Sequence, residues 1–389
     1  VSGALPADLV RPAYGARTLA DVLPGVATAL GVDVDRAGLP PDPLGLTAAL
    51  AGARRVAVLL VDGLGAHLLR AHAHLAPVLS ALASPGDLDA PCPSTTPVSL
   101  VTLGTGVPPG GHGVLGFVTV VPGEDRLLNH VQWADDPDPR DWQPRPTVFE
   151  QAAAAGLPVT AVAPYAYAGS GLSTAAYRGA GYSGTVGAGD LAALLLHSLA
   201  AAPTGLVYGY TPELDLTGHV RGVDSDSWRL QLGLVDRVVE QVVAGLPDDA
   251  ALLVTADHGM LDVPRHTRVD VDDEPALLDG VALLAGEPRA RYAHALPGAA
   301  GDVLDAWRGV LGDRAWVAGR DEAIASGVFG AVDDTLAARI GDVVALARGP
   351  WAITASATEP GPSRLAAYHG SLTAAEVAIP LLLARGRAL

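Results

Sequence analysis

Short apolar runs that end in an aspartate constrain this chain more than any other feature. "RRVAVLLVDGLG" (54–65) reads as a strand closing at Asp62, "TGLVYGYTPELD" (204–215) as one closing near Asp215, and "AALLVTADHGM" (250–260) as one closing at Asp257 and His258. Strands that are apolar nearly throughout, rather than alternately, are covered on both faces and belong to mostly parallel sheets. Between them lie stretches with helical spacing, "DLAALLLHSLAAA" (190–202) and "DSWRLQLGLVDRVVEQVVAGL" (226–246). Alternation of this kind predicts an α/β fold, a mostly parallel central sheet with helices on both faces. In such sheets ligands sit beyond the carboxyl ends of the strands. Two segments break the rhythm. Residues 118–147, rich in Pro, Asp and Trp, read as a loop or hairpin excursion. Residues 261–360 read as a small inserted α/β cap, leaving 1–260 and 361–389 as the catalytic core.

Length and charge narrow the function. A chain of 389 residues, 49 % hydrophobic, has enough apolar surface for one large domain or one domain carrying an insert. Its net charge of -17, with every basic residue an Arg, argues against a nucleic-acid duplex as partner, because there is no basic patch to displace counterions. A small phosphorylated substrate stays compatible, since bound metal ions supply local positive charge. Cys92 is the single cysteine, so no disulfide forms within the chain. The longest apolar stretches are too short to span a bilayer. No charged segment followed by an apolar run opens the sequence, which favours the cytoplasm unless an export signal has been removed. Oligomeric state is not legible.

An aspartate at a strand end is ordinarily a loop residue or a helix cap. Three at comparable strand ends, two of them accompanied by histidine, point instead to a metal site. Asp215 and His219 are four residues apart, so a helical turn puts both on one face. "PSTTPVSLVTLGTG" (93–106) reads as a short helix stopped by glycine, and a Thr at its start sits where backbone N–H groups and the helix dipole favour an anion. N-capping is the plainer use of that Thr. A metal-activated hydroxyl at the same place is a nucleophile.

"LLVDGLG", "PSTTPVSLVTLGTGVPPGGHG", "ELDLTGH", "TADHG" and "AAYHGS", in that order between residues 55 and 370, resemble the alkaline phosphatase superfamily, and within it the nucleotide pyrophosphatase/phosphodiesterase branch. The resemblance implies two divalent metal ions, zinc in the first place with manganese compatible, and a threonine nucleophile. Carried over by motif, one ion takes Asp215, His219 and His369, and the other takes Asp62, Asp257, His258 and the oxygen of Thr96. Thr96 lies three residues after Pro93 and nine before Thr105, as in the family; Pro97, directly after it, would instead point to Thr95. Many relatives carry an asparagine soon after the "HG" that follows the nucleophile helix. "HGVLGF" has none, and Asn129 is the substitute candidate for holding a phosphoryl oxygen. "PCPSTT" lacks the spacing and the arginine of a sulfatase motif, which makes Cys92 a neighbour rather than the nucleophile. His112 reads as structural, and most of the remaining histidines as surface or loop residues.

The implied reaction is in-line phosphoryl transfer through a covalent phospho-threonine, on a nucleotide or other phosphodiester. Tyr165, Tyr167 and Tyr177 read either as a flat surface near the leaving edge of the sheet, which would stack a base or similar group for about 1–3 kcal/mol if it resembles stacking in nucleic-acid sites, or as residues that pack the core or line the surface. A phosphomonoesterase or phosphonate hydrolase on the same fold is the alternative, and a metal-binding protein without turnover is the other.

Overall fold

β1 (Arg55–Val61) lies inside the main sheet of the computed structural model, which describes residues 4–387. The other strands of this sheet are β2 (Val159–Pro164), β3 (Gly181–Thr185), β4 (Gly205–Thr211), β5 (Ala250–Thr255) and, at the end of the chain, β10 (Leu381–Arg385). Their order is β10-β5-β1-β4-β2-β3, and every pairing is parallel except β10 on β5. Every residue of β4 and β5 is buried, which is why these strands are apolar without alternation. β1 is flanked by β5 and β4, with Leu60 opposite Thr255 and Val61 opposite Thr211. The three strands whose runs end in Asp are therefore adjacent and finish level with one another.

Helices cover both faces. Helix Asp226–Gly245 starts at Ser225, whose side chain accepts from the Trp228 amide, and buries Trp228, Leu232, Val235, Val239 and Val242 along one stripe. Helix Ala188–Ala200 buries Leu191, Leu195 and Leu199 in the same core. Helix Thr96–Thr105 ends at Gly106, which takes φ +71°.

Residues 281–347 form a second sheet: β6 (Val281–Glu287), β7 (Ala290–Ala295), β8 (Ala315–Gly319) and β9 (Val343–Ala347), antiparallel, in the order β6-β7-β9-β8. Helix Ala300–Leu311 packs Val303, Trp307 and Leu311 against one face. From the other face Tyr292, Trp316 and Leu346 join a core with Leu115, Leu372 and Val377. Two buried polar contacts add to this docking. Arg289 donates from Nε and Nη2 to the two oxygens of Glu376 at 2.6 and 2.7 Å, and Tyr292 donates to the Leu115 carbonyl at 2.7 Å.

The excursion at 118–147 holds a hairpin, Val118–Val120 with Leu127–Asn129, and a buried cluster of Trp133 and Trp142 around His130. His130, His112 and His294 are buried, which corrects the surface or loop reading for His130 and His294. Among the described residues no helix is long and apolar enough to cross a membrane.

Candidate metal centre and active site

Each strand end delivers its side chain by a short, local device. After β1 the chain turns at Gly63, whose φ is +73°; a Cβ there would stand 3.0 Å from Asp215 Cβ. Glycine alone allows both the turn and the approach of the next strand's carboxylate. After β4, helix Glu213–Arg221 begins at once and carries Asp215 and His219 one turn apart. After β5 the chain curls so that Asp257 Oδ1 accepts from the amides of Gly63 and His258, both at 3.0 Å. His369 arrives from the far end of the sequence, directly after the short strand Ala367–Tyr368.

These side chains meet. His258 Nε2 is 3.2 Å from Asp257 Oδ2 and 3.5 Å from Asp62 Oδ1. His219 Nε2 is 3.3 Å from Asp215 Oδ2 and 3.1 Å from His369 Nε2. The His258 and His369 rings stack with centroids 3.6 Å apart, joining the two groups. Ligand-type atoms of Asp62, Asp257 and His258 lie within 4.8 Å of one another, and so do those of Asp215, His258 and His369. His258 thus borders both groups, a sharing that the division by motif does not contain.

The donor chemistry fits a divalent cation. Asp62 Oδ1, Asp215 Oδ1 and Asp257 Oδ2 are buried without a hydrogen-bond partner, and an unmatched buried carboxylate oxygen is costly. The imidazoles are oriented from behind: Nδ1 of His219, His369 and His258 donates to the carbonyls of Ala367, Ser94 and Gly259 at 2.8, 2.9 and 3.1 Å. Each Nε2 then presents a lone pair inward. Two such lone pairs face each other at 3.1 Å between His219 and His369. That is unfavourable unless an electrophile lies between them, and it is close to the ~3.3 Å separation of two nitrogens on one tetrahedral zinc. Burial first, then the neighbouring Asp257 and Asp215, push the Asp62 carboxyl well above the usual range. Burial likewise raises Asp215, and burial with the adjacent His258 and His219 drives His369 well below the ordinary histidine value. A bound cation would offset the penalty on the carboxylates and would take the neutral form in which burial already holds His369.

Thr96 opens its helix half-buried, with Oγ1 3.4 Å from Asp62 Oδ2 and 3.3 Å from His258 Nε2. Thr95, the alternative, is fully buried and donates to Glu287 Oε2 at 3.3 Å. Tyr167 follows β2 in a single helical turn, and its ring lies 6.4 Å from that of Tyr210, whose hydroxyl donates to Asp62 Oδ2. Tyr165 is 73 % exposed. Tyr177 is not at the sheet edge: it is buried against Tyr208, hydroxyl to hydroxyl at 3.2 Å, because its helix turns that face to the core. Asn129 lines a cavity beside His219 and His369, its Oδ1 accepting from the Val131 amide. His112 is buried on Thr102 at 2.9 Å.

Sequence reasoning missed two residues. Tyr210 sits inside an apolar run and looked like core. Glu287 ends β6 in the insert, buried, 3.8 Å from His369 Nδ1, with Oε1 lacking a partner; burial raises its carboxyl well above the usual range. Nothing in "LLAGEPRARY" separates it from a hairpin-turn glutamate.

The sequence profile described as "Type I phosphodiesterase / nucleotide pyrophosphatase" matches residues 56–372. The chain belongs to that family. It is a hydrolase of phosphodiester or pyrophosphate bonds, from a metal-dependent family. Solved structures share the fold. Murine ectonucleotide pyrophosphatase / phosphodiesterase 5 superposes with a TM-score of 0.68 at 20 % identity, over 85 % of this chain and 88 % of that one. An inactive threonine-to-alanine variant of the murine protein, in complex with AMP, gives 0.67 at 19 % identity, over 86 % and 88 %. Phosphonoacetate hydrolase from Sinorhizobium meliloti 1021, in complex with phosphonoformate, gives 0.65 at 19 %, over 86 % and 91 %. No curated protein matches the sequence.

Proposed function

We propose that this family member cleaves phosphodiester or nucleotide pyrophosphate bonds through a covalent adduct on Thr96, with two divalent ions, zinc by preference, held by the two donor groups. Asp215, His219 and His369 would hold one ion. Asp62, Asp257, His258 and the Thr96 oxygen would hold the other, and His258 borders both. Bound ions supply Lewis-acid charge that lowers the pKa of the nucleophile and neutralises the phosphoryl oxygens. The chain itself fixes everything else. Thr96 stands at the N-terminus of helix Thr96–Thr105, the end at which the helix dipole favours an anion. The Thr96 hydroxyl gives up its proton to solvent, its oxygen attacks phosphorus as the bond to the leaving oxygen breaks, and that oxygen departs with its electron pair. Water then attacks the adduct and restores the hydroxyl. Asp257, pinned by two amides, and the three imidazoles, each pinned by a carbonyl, keep the donors in place throughout.

The position of Thr96 Oγ1, within 3.4 Å of both Asp62 and His258, carries this reading. The murine neighbour is inactive as a threonine-to-alanine variant, which supports a threonine in that role. A preference for diesters over monoesters is supported by three guanidiniums that already have carboxylate partners, Arg178 with Glu150, Arg289 with Glu376 and Arg291 with Glu359, whereas the exposed Arg221, on the helix of Asp215 and His219, is the residue that would weigh against it. Likeness to a phosphonate hydrolase keeps carbon–phosphorus cleavage as the second reading. Relative kcat/KM on thymidine nitrophenyl phosphate, nitrophenyl phosphate and phosphonoacetate tests both. A monoester or phosphonate preference of about tenfold or more contradicts the diesterase assignment.

A further inference from the structure

His219 and His369 form one wall of the candidate site and also one wall of a cavity of 160 Å³. Phe117, Val118, Leu365 and Tyr368 are among the other lining residues, together with Asn129 and Glu287. The volume is close to that of an engineered ~150 Å³ apolar cavity that binds benzene. No arginine lines it. Glu359 does, and its two oxygens already receive both terminal nitrogens of Arg291, whose Nε donates to the Ile353 carbonyl. Glu287 supplies no positive charge in either protonation state. Asn129 spends its oxygen on the Val131 amide, which leaves its N–H groups free.

We propose that this cavity receives one ester substituent of the phosphoryl substrate, and that the substituent is uncharged and about the size of a single ring. The inference rests on the reading of the Thr96 site given above and specifies its substrate. An apolar ring gains from covering Phe117, Val118, Leu365 and Tyr368. An anionic substituent, such as a second phosphate or a carboxylate, would lose its hydration beside Glu287 and the Arg291-paired Glu359, with no arginine in the lining and the charge of the bound ion already met by the phosphoryl oxygens. A polar edge on the ring would find the Asn129 amide.

Direct binding tests this without turnover. Calorimetric titration of the zinc-loaded protein compares phenylphosphonate with para-carboxyphenylphosphonate, which share the phosphonate and differ by one charge. Phenylphosphonate should bind about tenfold or more tightly. Val118→Arg, at a half-buried hairpin position, and separately Leu365→Arg, should narrow or invert that ratio by giving the carboxylate a partner. Equal affinities in the native protein, no binding of either compound, or a ratio that neither arginine variant moves would overturn the proposal. Diester turnover in the same preparation separates the two levels. Turnover without the binding preference rejects the cavity assignment alone, whereas loss of all diester turnover rejects the reading of the site.

Discussion

At Asp257 the two carboxylate oxygens have different partners. Oδ1 accepts from Gly63 and His258, while Oδ2 faces His258 Nε2 with no hydrogen bond. An asparagine can keep the first role and cannot supply the negative charge of the second. Asp257→Asn should therefore fold normally and lose about one equivalent of zinc by metal analysis, with activity down by about a hundredfold or more. Full metal content in that variant would remove Asp257 from the centre. The neighbouring threonines separate in the same way. Thr96→Ala should abolish turnover and retain metal, whereas Thr95→Ala loses only the hydrogen bond to Glu287 and should keep substantial activity. The sequence made the Asp, His and Thr candidates legible because each stands at a local landmark: a strand end, a helix turn, a Pro-to-Thr spacing. Glu287 and Tyr210 have no such landmark. Their proximity to the site comes from tertiary packing, as does the burial of Tyr177, whose sequence neighbourhood looks like an aromatic loop.

Among the elements, β5-β1-β4 order explains why three strand ends make one site, and continuous apolar runs already implied the parallel sheet that produces it. The antiparallel arrangement of the second sheet was less legible, because "ALLAGEPRARYAHAL" alternates poorly and reverses at Pro288 and Arg289, just after Gly286 at φ +83°. The turn after β5 is packed tightly against the segment that follows His369. A Cβ on Gly259 would stand 2.1 Å from the Ala375 carbonyl oxygen, a clash with backbone that no rotamer change can relieve. Gly259→Ala should destabilise the fold by about 1–3 kcal/mol, seen as a lower urea midpoint at unchanged slope. An unchanged midpoint would mean that this segment moves freely. Arg289 and Glu376, both fully buried, tie the insert to the same segment. Arg289→Ala should cost about 3–5 kcal/mol, because it strands a buried carboxylate.

Over the whole molecule, buried neutral histidines link stability to pH. The Val114 amide donates to His112 Nδ1, and the Trp142 indole donates to His130 Nε2, so both rings must accept and neither has room for a second proton. Burial lowers His112 to about 3 and His130 to about 4. In the unfolded chain each takes up its proton near pH 6.5, so the unfolded state binds more protons between that value and the folded ones. Their contribution is complete above about pH 6.5 and falls below it, by up to ~1.4 kcal/mol per pH unit for each ring. Urea titrations of chelator-treated protein from about pH 7 down to about pH 5 should show this slope, and His112→Gln should reduce it. A pH-independent midpoint would contradict the neutral assignment.

In the proposed reaction Thr96 carries the phosphoryl group between the two steps. Rapid acid quenching during turnover of thymidine nitrophenyl phosphate, followed by peptide mass mapping, reads this directly. A thymidylyl adduct should appear on Thr96, be absent from Thr96→Ala and persist in Thr95→Ala. An adduct on Thr95, or a nitrophenol burst with the Thr96 peptide unmodified, would contradict it.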